Sequence, residues 1–126
     1  MVEIFLERAK QLSEARKLIE LDAEYASATA LLAVHSAIAY NDAVLVKLSG
    51  KAFRGEDHMS AVREVTKRCR ARKLDTSGIT QLKTLVAAKT RVSYEAQLVS
   101  FPYAYELSVA SQRFAVWAYK RLEEIV

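Results

Sequence analysis

The sequence contains few of the residues that interrupt helices. Its 126 residues include 3 Gly and 1 Pro, which is too little turn chemistry for a many-stranded sheet. We therefore expect an all-α fold with few, long helices. The single cysteine, Cys69, excludes an intramolecular disulfide and a multi-cysteine zinc site, and it is typical of a reducing compartment. We expect a cytoplasmic protein.

Other features in short supply narrow the function class. Two histidines without a close cluster of His, Cys and carboxylates predict neither a metal site nor a cofactor. The N-terminal segment carries charges at Glu3, Glu7, Arg8 and Lys10, so it lacks the uninterrupted apolar core of a signal peptide. No segment reaches about 18 uncharged apolar residues, so no membrane span is expected. The net charge of +4, from 19 basic and 15 acidic side chains, permits an acidic partner without requiring one.

A long apolar stretch, residues 25–50, predicts a central helix within a single domain that spans residues 1–126. The stretch is apolar on two faces, and a helix of that kind is normally covered by neighbours. Gly50 follows at the position where a left-handed residue commonly ends a helix. One predicted stripe contains Leu31, Val34, Ile38, Leu45 and Leu48, and the other contains Tyr25, Leu32, Ala39 and Val46.

Four amphipathic helices are predicted around the central one, giving an up-and-down bundle of about five antiparallel helices. They span residues 1–21, residues 58–74, residues 79 to 90–92, and residues from about 102 to 125. The first meets the central helix at a tight corner or bend near residues 22–24. The side chains expected to face the core are Val2, Phe5, Ala9, Leu12 and Ile19, then Met59, Val62, Val65 or Thr66, and Cys69, then Ile79, Leu82, Leu85 and Val86, and finally Tyr103, Leu107, Ala110, Phe114 and Trp117.

Helix starts are indicated by capping residues. Asp57 is a good N-cap for the third helix, with Glu56 also favourable near its positive end. Ser77 is the candidate cap of the fourth helix. Pro102 suits the first turn of the last helix, where its missing N–H is not needed.

Three polar side chains interrupt the apolar faces of the central helix. His35 and Asp42 are seven residues apart and so share a face, and Asn41 lies beside Asp42. Two readings remain open: a buried acid–base pair or dimer-interface contact, and ordinary interior side chains with satisfied hydrogen bonds.

Cationic residues are concentrated in two places. The run 67–73 contains Lys67, Arg68, Arg70, Arg72 and Lys73, which could contact phosphates or simply favour the negative end of the third helix. Further along, Lys89 and Arg91 precede four aromatic side chains that could stack a base or fill the end of the bundle. Those aromatic residues are Tyr94, Phe101, Tyr103 and Tyr105.

The order of these parts resembles the HEPN (higher eukaryotes and prokaryotes nucleotide-binding) family. The similar segments are the Ala-rich helix ending in LVKLSGKAF, the GEDH opening of the third helix, the stretch KTRVSYEA, and ASQRF in the last helix. The resemblance implies a helical bundle that is usually a symmetric dimer, often from a prokaryotic toxin or defence system. It also implies a nucleotidyltransferase-like protein partner. Active members resemble metal-independent ribonucleases with Arg and His separated by four to six residues.

The catalytic pattern of that family is incomplete in this chain. Arg91 matches the arginine, but Ala96, Gln97 and Leu98 stand where the histidine is expected. None of them can exchange a proton near neutral pH as an imidazole does. We therefore expect a non-catalytic subunit that binds a protein, nucleotide or RNA.

The alternative is a divergent ribonuclease, and two pairs of residues are candidates for its site. Arg54 and His58 are separated by three residues, and Arg91 precedes Tyr94 by three positions. His58 also resembles the structural histidine of the family, which can cap or bridge helices.

A homodimer is expected from surplus apolar surface. The chain is 52% apolar, and four apolar or aromatic side chains of the last helix fall off its core stripe. Contiguous patches of that kind usually mark partner surfaces. They are Tyr105, Val109, Val116 and Tyr119.

Overall fold

The computed structural model describes residues 1–55, 57–94 and 97–125. Within these ranges the chain is helical and contains no strand, which confirms the all-α prediction of about five helices. The helices are α1 (Val2–Ile19), α2 (Ala26–Ser49), α3 (His58–Ala71), α4 (Ile79–Tyr94) and α5 (Phe101–Glu124), with a 3-10 turn (Ala23–Tyr25) between α1 and α2.

Most helix boundaries follow from their capping residues. Gly50 ends α2 with φ of 75°, and its N–H bonds to the carbonyl of Val46. The Asp57 carboxylate caps α3 by accepting the Ser60 N–H at 2.6 Å, while Glu56 lies outside the described residues. Pro102 lies in the first turn of α5, and Ser100 is the N-cap, whose side chain accepts the N–H of Tyr103.

The start of α4 corrects one capping prediction. The hydroxyl of Ser77 donates to Asp75 Oδ2 at 2.5 Å, so it is engaged with the preceding loop. At the start of α4, the N–H of Ile79 donates to the carbonyl of Thr76, and the N–H of Leu82 donates to the carbonyl of Gly78. The helix then runs beyond the predicted end at residue 90 or 92, to Tyr94.

Contacts between helix ends fix the directions of the helices. At one end of the bundle, Arg72 donates to the carbonyl of Leu48 at 3.0 Å and Arg121 pairs with Asp75 at 2.9 Å. We call this the basic end, because it also holds the cationic run 67–73. At the opposite end, the Val99 N–H donates to Ser27. We call this second end the aromatic end, after Phe101, Tyr103 and Tyr105 at the start of α5.

These contacts depart from simple up-and-down alternation at one connection. The C-terminus of α3 lies beside the C-terminus of α2. His58, at the start of α3, lies within electrostatic range of Lys89, near the end of α4, because the charge of Lys89 lowers the pKa of His58. Helix α3 therefore runs parallel to α2.

The core forms around α2. Phe114 is fully buried and stacks on Trp117, with ring centroids 5.4 Å apart. Cys69 is buried as expected, and burial raises the pKa of its thiol. Two residues of the predicted stripes of α2 are instead exposed: Tyr25 in the 3-10 turn and Leu31. These residues lie near the N-terminal end of α2, where the neighbouring helices do not cover every face.

The buried face of α1 differs most from its prediction. Its fully buried side chains are Ala9, Ser13 and Arg16, whereas Val2, Phe5, Leu12 and Ile19 are only partly buried. The inward face of α1 is therefore partly polar, because Arg16 finds hydrogen-bond partners inside the bundle.

One stretch, Ala23–Ser49, is long and apolar enough to cross a membrane by length and composition. Of its apolar window, 72% is buried inside the bundle. Coverage by the other helices thus accounts for its apolar character.

Candidate functional site

Three helices place His35, His58 and Lys89 within electrostatic range of one another, and we refer to these residues as a cluster. His35 comes from the middle of α2, His58 from the first residue of α3, and Lys89 from the last turns of α4. Partial burial lowers the pKa of His35, and the nearby charges of Lys89 and His58 lower it further. Burial and Lys89 also lower the pKa of His58, partly offset by Asp57. Both shifts favour the neutral form of the imidazole, within electrostatic range of the Lys89 ammonium.

His35 and Asp42 do not form the pair that their spacing suggested. Within the described residues no hydrogen bond joins them, and their electrostatic neighbours differ: Lys89 and His58 for His35, and Arg8 for Asp42. Burial raises the pKa of Asp42 to about 6. The two side chains are two turns apart, about 10 Å along the axis.

Asn41 is a buried interior residue. It is 3% exposed, and its side-chain oxygen has no hydrogen-bond partner among the described residues. An unpaired buried acceptor costs stability.

Arg54 is not among the groups that shift the pKa of His58. Arg54 is exposed on the connection before α3, and the charges that affect His58 are those of Lys89 and Asp57. The structure thus associates His58 with His35 and Lys89, an association that spacing along the chain could not reveal.

Arg91 and Lys89 each contact an aromatic ring at the aromatic end. The guanidinium of Arg91 lies 4.2 Å from the ring centroid of Tyr103, and the ammonium of Lys89 lies 5.2 Å from that of Tyr94. Tyr94 is 73% exposed. Phe101 and Tyr105 pack against each other with centroids 6.2 Å apart. The aromatic residues thus partly close the end of the bundle and partly present open ring surface.

Of the positions where the family histidine is expected, residues 97 and 98 are described, and neither side chain can transfer a proton. Gln97 and Leu98 follow α4 and are exposed, and Ala96 lies outside the described residues. Arg91 and Tyr94 both belong to the last turn of α4, but each contacts another residue rather than its candidate partner.

The cationic run 67–73 lies at the basic end, far from Lys89 and Arg91. Lys67, Arg70 and Lys73 are exposed, Arg68 pairs with Glu64 at 2.6 Å, and Arg72 bonds to Leu48 O. Because α4 separates the two sets along its length, the predicted phosphate-binding residues form two surfaces rather than one.

A buried polar network around Arg16 was not predicted from the sequence. Arg16 is 1% exposed and donates to Ser108 Oγ at 2.7 Å, Gln112 Oε1 at 2.8 Å, Glu20 Oε2 at 2.9 Å and Ser13 Oγ at 3.1 Å. Burial lowers its pKa, and Glu20 opposes that shift. The network joins α1 to α5 and is structural, since its hydrogen bonds are made within the protein.

Scanned against protein-family models, the chain finds no match, and it has no significant match among curated proteins. Within the described ranges, no group of three or more His, Cys, Asp or Glu side chains is placed to hold a metal ion.

Proposed function

We propose that this chain is a non-catalytic, HEPN-like binding subunit that binds a nucleotide or single-stranded RNA at its aromatic end. The observation that carries the proposal is the pairing of two cations with two aromatic rings: Arg91 on Tyr103 and Lys89 near Tyr94. Surfaces that bind single strands combine cations for the phosphates with rings for the bases.

The exposed ring of Tyr94 provides the stacking surface in this proposal. A base on Tyr94 would place its phosphate near Lys89 and Arg91, which belong to the same turns of α4. Arg91 is held by Tyr103, so its guanidinium is oriented before a ligand arrives. Pre-orientation of this kind reduces the entropy lost on binding.

The test measures binding of a fluorescent RNA oligonucleotide by anisotropy at several salt concentrations. Lys89→Gln with Arg91→Gln should weaken binding about tenfold or more and flatten the salt dependence by about 1.4 in slope, since each lost phosphate contact counts about 0.7 for single strands. Tyr94→Ala should weaken binding by about 1 to 3 kcal/mol.

The matched control removes the same charge from the basic end, with Lys67→Gln and Arg70→Gln. These exposed side chains should matter less than Lys89 and Arg91. If the control pair loses binding and the Lys89 and Arg91 pair does not, the binding surface is the basic run. If the unmodified chain binds neither RNA nor nucleotide, the proposal is wrong.

A divergent ribonuclease is the second candidate, and the cluster of His35, His58 and Lys89 favours it. A neutral imidazole can accept a proton, a second can donate one once protonated, and an ammonium can stabilise a phosphate. RNA should then be degraded in the presence of a chelator, and His58→Ala and His35→Ala should each abolish cleavage. Retained cleavage in both variants, or none in the unmodified chain, excludes this activity.

The proposed subunit is a homodimer that uses the outer face of α5. Tyr105 and Val116 are 41% and 47% exposed, and Val109 is partly exposed between them along the helix. Tyr119 is excluded from this face, because its ring packs on Tyr40 with centroids 5.5 Å apart. Clefts of about 340 and 400 Å³ flank the face on the α4 and α1 sides, a shape suited to a ridge of side chains from a second copy.

Light scattering tests the dimer. The unmodified chain should give about twice the mass of 14.1 kDa, and Val109→Glu with Val116→Glu should give the monomer mass, because a buried unpaired charge is costly. As a control, Ile4→Glu with Leu18→Glu adds the same charge at exposed apolar positions of α1 and should leave the dimer intact. A monomer for the unmodified chain contradicts the proposal.

The cellular setting follows from the same resemblance. We propose a cytoplasmic protein of a prokaryotic toxin–antitoxin or defence system, with a nucleotidyltransferase-like protein as partner. Co-purification from the native host tests this part, and the partner should be recovered with the unmodified chain.

A further inference from the structure

We propose that α5 packs antiparallel on α5 of a second copy, with the two-fold axis of the dimer midway between Gln112 and Arg113. The inference rests on the proposed dimer and adds the arrangement of its two copies. In an antiparallel two-fold contact, each residue meets the residue that lies equally far beyond the axis. The proposed axis therefore places Val109 opposite the partner's Val116.

This axis covers the exposed valines of the outer face of α5. Val116 is 47% exposed, and Val109 is partly exposed. Each valine lies about 5 Å from the axis along the helix, at a rise of about 1.5 Å per residue. The four valines of the dimer therefore pack together at the centre of the contact, where their removal from water favours association.

Charged residues of the same face select the antiparallel direction. Glu106, Arg113 and Lys120 are exposed, and in the part of the chain that the structure describes they form no salt bridge. Along α5, Glu106 lies about 10 Å on one side of the axis and Lys120 about 11 Å on the other. Antiparallel packing brings each Glu106 opposite the partner's Lys120, whereas parallel packing would align like charges, which is unfavourable.

The positions of these two charges across the helix agree with the same symmetry. Glu106 lines a cleft of about 340 Å³ between α5 and α4, and Lys120 lines a cleft of about 350 Å³ farther along the same side. A two-fold rotation that reverses α5 keeps the α4 sides of both copies together. Glu106 and the partner's Lys120 thus meet on one side of the contact, with no need to cross α5.

One other antiparallel register pairs opposite charges. An axis three residues closer to the start of α5 would place Glu106 opposite the partner's Arg113. That axis would place Val116 opposite the partner's Tyr103, away from the other valines, so less apolar surface would be buried at the centre. The two registers differ in the role of Arg113, which lies near its own copy in the proposed register and in an ion pair in the other.

Disulfide trapping tests the arrangement directly. The double variant Val109→Cys with Val116→Cys, oxidised with copper–phenanthroline, should run as a covalent dimer on a non-reducing gel. Each single variant should run as a monomer, because two copies of one position lie about 10 Å apart along the helices, beyond the reach of about 7 Å between the Cα atoms of a disulfide. The native Cys69 is buried, and the unmodified chain, oxidised in the same way, is the control.

Charge variants test the register through the Kd of the dimer, measured by analytical ultracentrifugation. Glu106→Lys should raise the Kd about tenfold or more, since it places like charges together twice in each dimer. Glu106→Lys with Lys120→Glu restores opposite charges and should return the Kd to within about threefold. Arg113→Gln removes a like-charge contact and should lower the Kd. The matched control Glu7→Lys, at an exposed position of α1, should change the Kd less than about twofold.

The outcomes separate failure of the arrangement from failure of the dimer. A monomer in light scattering contradicts both. A dimer in which Val116→Cys alone forms the covalent product has parallel α5 helices, and a dimer that no cysteine variant traps uses another surface. A higher Kd for Arg113→Gln indicates the other register. Each of the last three results overturns the arrangement proposed here and leaves the dimer itself standing.

Discussion

Replacement of Arg16 by methionine tests the energetic role of the polar network between α1 and α5. The guanidinium is 1% exposed and reaches both Ser108 and Gln112 across the helix interface. Methionine keeps much of the volume but removes every hydrogen bond. Glu20 then loses its countercharge, although its side chain is 27% exposed and still accepts from Ser108 Oγ at 2.5 Å.

The expected destabilisation is about 2 to 4 kcal/mol. A fully buried ion pair that loses one partner costs about 3 to 5 kcal/mol, and partial solvation of Glu20 reduces that figure. The unfolding midpoint in urea should fall with an unchanged slope, and the thermal midpoint should fall by about 6 to 15 °C. Protein concentration is held constant, because dimerisation would shift both midpoints.

Two variants make the test specific. Lys17→Met, at the exposed neighbouring position, should change stability by no more than about 0.5 kcal/mol. The double variant Arg16→Met with Glu20→Met should lose less than the sum of the two single changes, because the second change removes the carboxylate left without its countercharge. A loss below about 0.5 kcal/mol for Arg16→Met would refute the idea that the network joins α1 to the bundle.

Three further changes probe the core and its titration. Phe114→Ala removes a fully buried ring and should cost about 3 to 5 kcal/mol in urea unfolding; a midpoint close to that of the unmodified chain would contradict the packing. Gly78→Ala places a methyl group against Trp117 and should cost about 1 to 3 kcal/mol by the same measurement, whereas a neutral result would mean that α4 can move away from α5. The pKa of Asp42 rises from 3.8 to about 6 through burial, so the native state holds this proton more tightly than the unfolded state, and stability should fall as pH rises from about 4 through 6. Asp42→Asn should remove that slope and raise the free energy of unfolding at pH 7 by about 2 to 3 kcal/mol, and an unchanged pH profile would refute this assignment.

Local sequence signals predicted the helices and most of their ends. Gly50 and Asp57 act through backbone geometry and hydrogen bonds within a few residues, so their roles can be inferred without knowing the fold. Phe114 and Trp117 were predicted to be buried because their spacing places them on one face of α5. Signals of this kind depend on the period of the helix alone.

The functional candidates depended on contacts between distant segments. Arg16 meets Ser108 and Gln112 from 92 and 96 residues away, and hydrophobic periodicity assigns an arginine to the surface by default. The association of His35, His58 and Lys89 likewise requires the direction of α3. Local sequence signals do not give that direction, because it depends on contacts between α3 and the other helices.

The position of Arg91 favours binding over cleavage as the role of the aromatic end. A ribonuclease site needs its proton donors and its arginine around one phosphodiester group. The histidines lie within electrostatic range of Lys89. Arg91 instead stacks on Tyr103 of α5 at 4.2 Å, and this contact orients its guanidinium. If Tyr103→Leu, which removes this contact, weakens RNA binding as much as Arg91→Gln does, orientation by the ring is part of the binding mechanism. If Tyr103→Leu instead leaves RNA affinity unchanged, Arg91 acts as a simple surface charge and the stacking argument is wrong.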